Sequence, residues 1–228
     1  MSSDTHEGSR RETSSPDYDG FFISFEGVET SGKTTQADLL ASWLKTRGYD
    51  IVQTREPGGS ELGEAVRSLL LHMDGDVDIS PRAETLLFAA SRAQLVYQVI
   101  APALRAGQVV VCDRFIDSSL AYQGFGLGMP LSAVWDVNRF GAAGLLPDLT
   151  FVLGRGGALE SSGEWSVGDR IEARGTDFHG RVRQGYLSLA RRFADRMMVI
   201  DTAGGVRRTA KTIRSIVSER LKDRGITP

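Results

Sequence analysis

Short apolar runs alternating with longer helical patterns predict an α/β protein built on a five-stranded parallel sheet with helices on both faces. Two further observations agree. Each run is nearly continuous rather than alternating, as in strands covered on both faces. A glycine-rich turn also separates the first run from the first helical pattern, the place where such sheets hold ligands. At 228 residues, 41% hydrophobic and 25% charged, the chain suits one well-buried domain.

Residues 1–20, opening MSSDTHEGSRRETSSPDYD, are polar, of mixed charge and without an apolar core, so a disordered tail is expected there, with a single domain over 21–228. The first strand is read at 21–26, FFISFE, and the helix TTQADLLASWLKTRG after it stops at Gly48. A second strand follows at 51–54. In TREPGGSELGEAVRSLL, Pro57-Gly58-Gly59 makes a turn ahead of the next helix. The long pattern PRAETLLFAASRAQLVYQVIAPALRAG starts at Pro81 behind a Ser80 cap and ends at Gly107, with Pro102 expected to kink its last turn. Strands at 109–112, 150–153 and 198–201 complete the sheet, with two helices before the fourth and one on either side of the fifth.

The irregular segment 154–168, GRGGALESSGEWSVG, reads as a surface loop or as a lid. Its place after the fourth strand, at the ligand edge of the sheet, favours a lid over about 154–170.

Composition excludes several classes. A net charge of -2 and a pI near 6.0 argue against a surface that grips a nucleic-acid backbone. No run approaches the roughly 18 apolar residues that span a membrane. The single Cys112 leaves no internal disulfide or cysteine zinc site, and in VVVCD it reads as a buried, inert thiol suited to a reducing cytoplasm.

The chemistry begins at Gly27-Val28-Glu29-Thr30-Ser31-Gly32-Lys33-Thr34, which fits G-x-x-x-x-G-K-[ST] between strand and helix. Its backbone N–H groups would surround phosphates, Lys33 would reach the β- and γ-oxygens, and the Thr34 hydroxyl would hold Mg²⁺. Cys112-Asp113-Arg114-Phe115 ends the third strand beside this loop. There Asp113 can orient Mg²⁺ or its waters and Arg114 can clamp an acceptor phosphate, although such a pair is elsewhere often a surface ion pair. The 57–59 turn brings Arg55 and Glu56 to the same edge, with Arg67 on the following helix, placed either to bind an anion or to solvate a helix start. Phe88 and Arg92, four apart on one helix face, suit core packing or a stacked base with a hydrogen-bonded edge.

FEGVETSGKTTQ, TREPGGSELGE, LLFAASRAQ, CDRFIDSSLAYQG, PDLTFVL and DRIEARGTDFHGRVRQGY occur in this order and cover most of residues 21–190. Together they resemble the thymidylate kinases, P-loop nucleoside monophosphate kinases that move the γ-phosphoryl group of ATP to dTMP. The resemblance implies that Lys33 and Thr34 meet ATP and Mg²⁺, and that Glu29 meets the acceptor's 3′-hydroxyl. Arg114, with Arg55, would hold the acceptor phosphate, while Asp113 and Glu56 organise the metal. Phe88 would stack on thymine, with Arg92, Ser119 and Gln123 reading its polar edge. Arg67 would line the same pocket, and Tyr122 would crowd the sugar 2′ position. A homodimer is implied as well.

Thr30 and Ser31 put no arginine in the phosphate loop, so the resemblance assigns the rate-supporting arginine to the lid, to Arg170 or Arg155. The family strand usually ends Leu-Asp before a basic lid, whereas this chain has Gly154 there and no Lys or Arg between Arg155 and Arg170. Two other activities fit these residues: a kinase for a modified pyrimidine deoxynucleoside monophosphate, and a nucleotide-binding homologue of low turnover.

Overall fold

The computed structural model describes residues 18–71, 78–156, 159 and 169–228. Five strands, β1 (Phe21–Gly27), β2 (Ile51–Arg55), β3 (Val109–Asp113), β4 (Leu149–Gly154) and β5 (Met197–Asp201), form one sheet in the order β2-β3-β1-β4-β5. Every pairing is parallel, as expected. The helices are α1 (Lys33–Thr46), α2 (Glu61–Leu71), α3 (Pro81–Leu95), α4 (Ala101–Arg105), α5 (Ile116–Ser119), α6 (Leu131–Gly141), α7 (Thr176–Arg192) and α8 (Val206–Asp223).

Side-chain alternation along β1 divides the core. Phe21, Ile23 and Phe25 pack with Leu40 and Leu44 of α1 and Ile213, Val217 and Leu221 of α8. Phe22 faces the other way, toward Leu95, Ile100, Leu104 and Phe115, and meets the Phe115 ring edge-on at 4.8 Å. Cys112 is buried on that second side, and burial raises its thiol well above the ordinary value. Burying each such side chain contributes about 1.5–3 kcal/mol. A third cluster joins Tyr122, Phe178, Val182 and Tyr186 beyond the carboxyl ends of the strands, where α7 is anchored.

Three details depart from the sequence reading. The outer strand β2 is only partly covered, with Gln53 exposed, because it has a neighbour on one side alone. The long third helical pattern is broken by a π-helical turn at Val96–Ile100, whose bond from Ala101 N–H to the Val96 carbonyl steps around Pro102. Pro102 has no N–H for the carbonyl four residues back, so the irregularity falls before it rather than in the last turn. Residues 18–20, expected in the tail, belong to the domain: Tyr18 packs on the Phe22 side of the sheet, and Gly20 N–H donates to the Leu104 carbonyl at 2.9 Å. The rest of the expected tail, and most of the expected lid, lie outside the described residues. Ser80, by contrast, caps α3 as read, accepting from Ala83 N–H at 3.3 Å.

Gly154 has a packing reason of its own. A Cβ there would lie 2.5 Å from the Leu159 Cα, because the chain beyond β4 folds back and buries Leu159 over the strand end. Gly154→Ala is therefore expected to destabilise the protein by about 1–3 kcal/mol through overpacking, read as a lower urea midpoint at unchanged slope.

Candidate active site

The strand order sets β3 beside β1, so the carboxyl ends of both strands deliver their residues to one place. Gly27 turns the chain out of β1 with φ +133°, and a Cβ there would come within 2.3 Å of the Leu153 carbonyl oxygen. Thr30 at φ +57° and Gly32 at φ +91° complete the loop, and α1 starts at Lys33. Lys33 Nζ donates to the Val28 carbonyl at 2.7 Å, which curls the loop around its own ammonium. Burial pulls that ammonium down to about 8, with the Arg114 charge adding to the effect.

Thr34 Oγ1 donates to Asp113 Oδ2 at 2.5 Å, joining the start of α1 to the end of β3. The other oxygen, Asp113 Oδ1, is buried without a hydrogen-bond partner among the described residues. A hydroxyl and a spare carboxylate oxygen at the phosphate loop are hard oxygen ligands that fit Mg²⁺ or its waters. Arg55 opens onto this side as well. It lines a cavity of about 780 Å³ with Thr34, Asp38 and Asp113, and pairs with Glu64 at 3.0 Å.

A second cavity, of about 570 Å³, lies on the other side of Arg114 and holds most of the expected acceptor residues. Its walls include Glu29, Arg67, Phe88, Arg114, Ser119, Tyr122 and Gln123. Arg114 takes a left-handed backbone at φ +69°, and its N–H donates to the Phe25 carbonyl at 2.9 Å. Its guanidinium pairs with Glu29 and reaches the Gly27 carbonyl at 3.2 Å, Ser118 Oγ at 3.2 Å and Tyr122 Oη at 3.3 Å. Burial alone would lower the Arg114 pKa, but Tyr122, Glu29 and Tyr186 raise it well above its ordinary value. Burial would likewise raise the Glu29 carboxyl, yet Arg114 and Lys33 hold it at about 2. Arg67 lies across the cavity and is fixed by donation to the Pro57 carbonyl at 3.0 Å.

Two expectations need correction, those for Arg92 and Glu56. Arg92 does not line this cavity. Its guanidinium is fully buried and pairs with Glu56 and Asn138, donating also to Ser119 Oγ at 3.0 Å and the Phe115 carbonyl at 3.1 Å. A cation so enclosed must satisfy its donors inside the protein, so Arg92 acts on the cavity only through Ser119. Glu56 is turned to the same cation and not to Thr34 and Asp113, and burial pushes its carboxyl up to about 7 against the Arg92 charge. Arg170 faces α3, donating to Glu84 at 2.6 Å and to the Leu70 carbonyl at 3.0 Å, and not the phosphate loop. Arg155 stands exposed at the end of β4, beside the Asp201 carboxyl, which the Ala203 and Gly156 N–H groups hold below its ordinary value.

Other residues of the site escaped the sequence reading. Glu172, in DRIE, lines the cavity with Glu29; burial and the Glu29 charge push its carboxyl up to about 7. Glu26, a lone acid in the apolar run FFISFE, is buried against Phe115 N–H at 2.8 Å, Ser118 Oγ at 2.5 Å and Tyr186 Oη at 3.0 Å. Burial, then the Asp117 charge, raises it to about 7. An acid in a strand otherwise covered on both faces was the available signal.

Comparison with known proteins agrees with this geometry. The family model described as Thymidylate kinase matches residues 25–213. A thymidylate kinase of Bifidobacterium longum subsp. infantis is 45% identical over 206 residues, covering 90% of this chain and 88% of its own. One from Pelotomaculum thermopropionicum is 51% identical over 190 residues, covering 81% and 86%. The crystal structure of thymidylate kinase from Ehrlichia chaffeensis superposes with a TM-score of 0.73 at 33% identity, over 87% of this chain and 98% of that one.

Arg92→Met is expected to cost about 3–5 kcal/mol in urea unfolding, because it leaves Glu56 buried without its cation. Adding Glu56→Gln should recover part of that loss. A residue serving only a ligand would leave the unfolding midpoint in place.

Proposed function

Because the chain belongs to the thymidylate kinase family, we propose that it transfers the γ-phosphoryl group of ATP to dTMP, giving ADP and dTDP. The observation that carries this reading is the ion pair between Glu29 of the phosphate loop and Arg114, which sets the cavity lined by Phe88, Tyr122 and Gln123 against the residues suited to ATP.

In this reading the loop N–H groups and Lys33 take the β- and γ-phosphate oxygens, with the Lys33 ammonium exchanging the Val28 carbonyl for them. Thr34 and Asp113 would hold Mg²⁺, which when bound would offset phosphate charge. Arg114 orients the acceptor phosphate, an oxygen of which attacks the γ-phosphorus in line as the bond to the ADP oxygen breaks. The nucleophile is already an anion, so no general base is needed, and catalysis is positioning and charge neutralisation. Glu29 accepts from the sugar 3′-hydroxyl, Phe88 stacks on the base, Ser119 and Gln123 face its polar edge, and Tyr122 crowds the 2′ position. Arg67 completes the pocket wall.

The arginine that stabilises the moving group comes from the lid, from Arg170 or Arg155. For Arg170 this requires exchange of its Glu84 partner for the phosphates. That same contact favours a second reading, a homologue that binds both nucleotides but turns over slowly while Arg170 stays with Glu84.

A panel of dTMP, dUMP, dCMP and a 5-modified dUMP under coupled ADP detection tests the proposal. The expected outcome is the highest kcat/KM on dTMP, abolished in Lys33→Ala, with Arg170→Ala lowering kcat far more than dTMP affinity. A better rate on the modified nucleotide would change the acceptor, and tight dTMP binding with negligible kcat would support the second reading.

We further propose a cytoplasmic homodimer, since Leu86 and Tyr97, on and just beyond α3, and Phe140 on the adjoining α6 are large apolar side chains left exposed, Phe140 at 90%. Sedimentation should give a dimer that Phe140→Asp with Tyr97→Asp converts to monomer.

A further inference from the structure

Glu84 lies on α3 one turn before Phe88, and its carboxylate is completely buried. Oε1 accepts from Gln123 Nε2 at 3.1 Å and Arg174 Nη1 at 3.2 Å, while Oε2 accepts from Arg170 Nη2 and Arg174 Nη2, both at 2.6 Å. Burial would raise this carboxyl, but the hydrogen bonds and charge of Arg174, with those of Arg170 and Gln123, hold it below its ordinary value. Glu84 is therefore ionised, and an ionised carboxylate can only accept hydrogen bonds.

That property decides which way the Gln123 amide points. Its NH₂ must face Glu84, since the reverse orientation would set a carbonyl oxygen against a carboxylate. The carbonyl oxygen, without a partner among the described residues, is left to the cavity that Gln123 lines. A pyrimidine edge meeting Gln123 finds an acceptor there and no donor. We infer that Glu84 is a specificity-determining residue: it locks the Gln123 amide so that the pocket accepts pyrimidines carrying a ring N–H, the thymine and uracil type, and rejects the cytosine type, whose ring nitrogen presents a lone pair.

This inference rests on the pyrimidine-monophosphate reading of the cavity and adds to it a residue that does not touch the base. It also gives Arg170 and Arg174 a part in base choice, because they keep the carboxylate charged. The methyl group that separates thymine from uracil lies outside its scope, which supplies an internal control.

The test is Glu84→Gln, an isosteric change whose amide can donate or accept, and which therefore lets Gln123 turn either way. Steady-state kcat/KM is measured for dTMP, dUMP and dCMP in both proteins. The expected result is a fall of about 10- to 100-fold in the dTMP-to-dCMP ratio, mostly through KM, with the dTMP-to-dUMP ratio unchanged. A merely structural role would lower all three substrates together and leave both ratios in place, and that result would overturn the inference. Where Glu84→Gln does not fold, Glu84→Asp serves. The two arginines can follow the shorter carboxylate on flexible stems, whereas Gln123, packed in the cavity wall, cannot, so the same ratio should fall. A wild-type protein with no preference for dTMP over dCMP would overturn both the function proposed above and this inference. A wild-type preference retained in the variants would overturn the inference alone.

Discussion

A single cation organises the candidate site. Arg114 sits where β3 ends, in a left-handed backbone held by its N–H bond to Phe25 of β1, and its side chain spans the phosphate loop, the turn into α5, and α7. A buried guanidinium is tolerable only when its donors are met, and here they are met by a carboxylate, a carbonyl and hydroxyls from four parts of the chain. The same charge draws Glu29 toward the cavity of about 570 Å³ and holds it ionised, so the loop at 27–34 also forms part of that cavity's wall.

Around Arg114 the protein buries several carboxyl groups and treats each differently. Glu29 and Glu84 lie against arginines that hold them below the usual range. Glu56 is paired as well, yet burial outweighs its partner and pushes it up. Glu26 is held by a backbone N–H and hydroxyls, with no cation in direct contact among the described residues, and burial pushes it up to about 7. The difference is one of surroundings, since the side chains are identical. Behind Arg114, Tyr186 Oη accepts from its guanidinium and donates to Glu26, linking the two.

The segment before α7 is linked to the cavity wall through Glu84. Its buried carboxylate ties Arg170 and Arg174 to Gln123, so that segment and the wall that Gln123 lines share one anion. Gly154 fits the same region for a steric reason: with no side chain at the end of β4, the chain can return and bury Leu159 against it.

Periodicity alone determined the class of fold, the five strands to within a residue at most ends, and the helix boundaries marked by Ser80, Gly48 and Gly107, because those signals are local. The loop at 27–34 and Arg114 were legible at strand ends, and Arg67 on the helix after the 57–59 turn, whereas Phe88, Ser119, Tyr122 and Gln123, which sit within helices, were tied to the same cavity only through the family resemblance. Only the tertiary structure decided which charge meets which. Arg92 and Glu56 are 36 residues apart, and Arg170 and Glu84 are 86 apart, so no spacing rule joins them. Burial then assigned Arg92 to the interior, turned Glu56 away from Asp113, and aimed Arg170 at α3. A charged side chain taken out of water goes to the partner that the fold brings within reach, and that partner cannot be read from the residue's own neighbours in the chain.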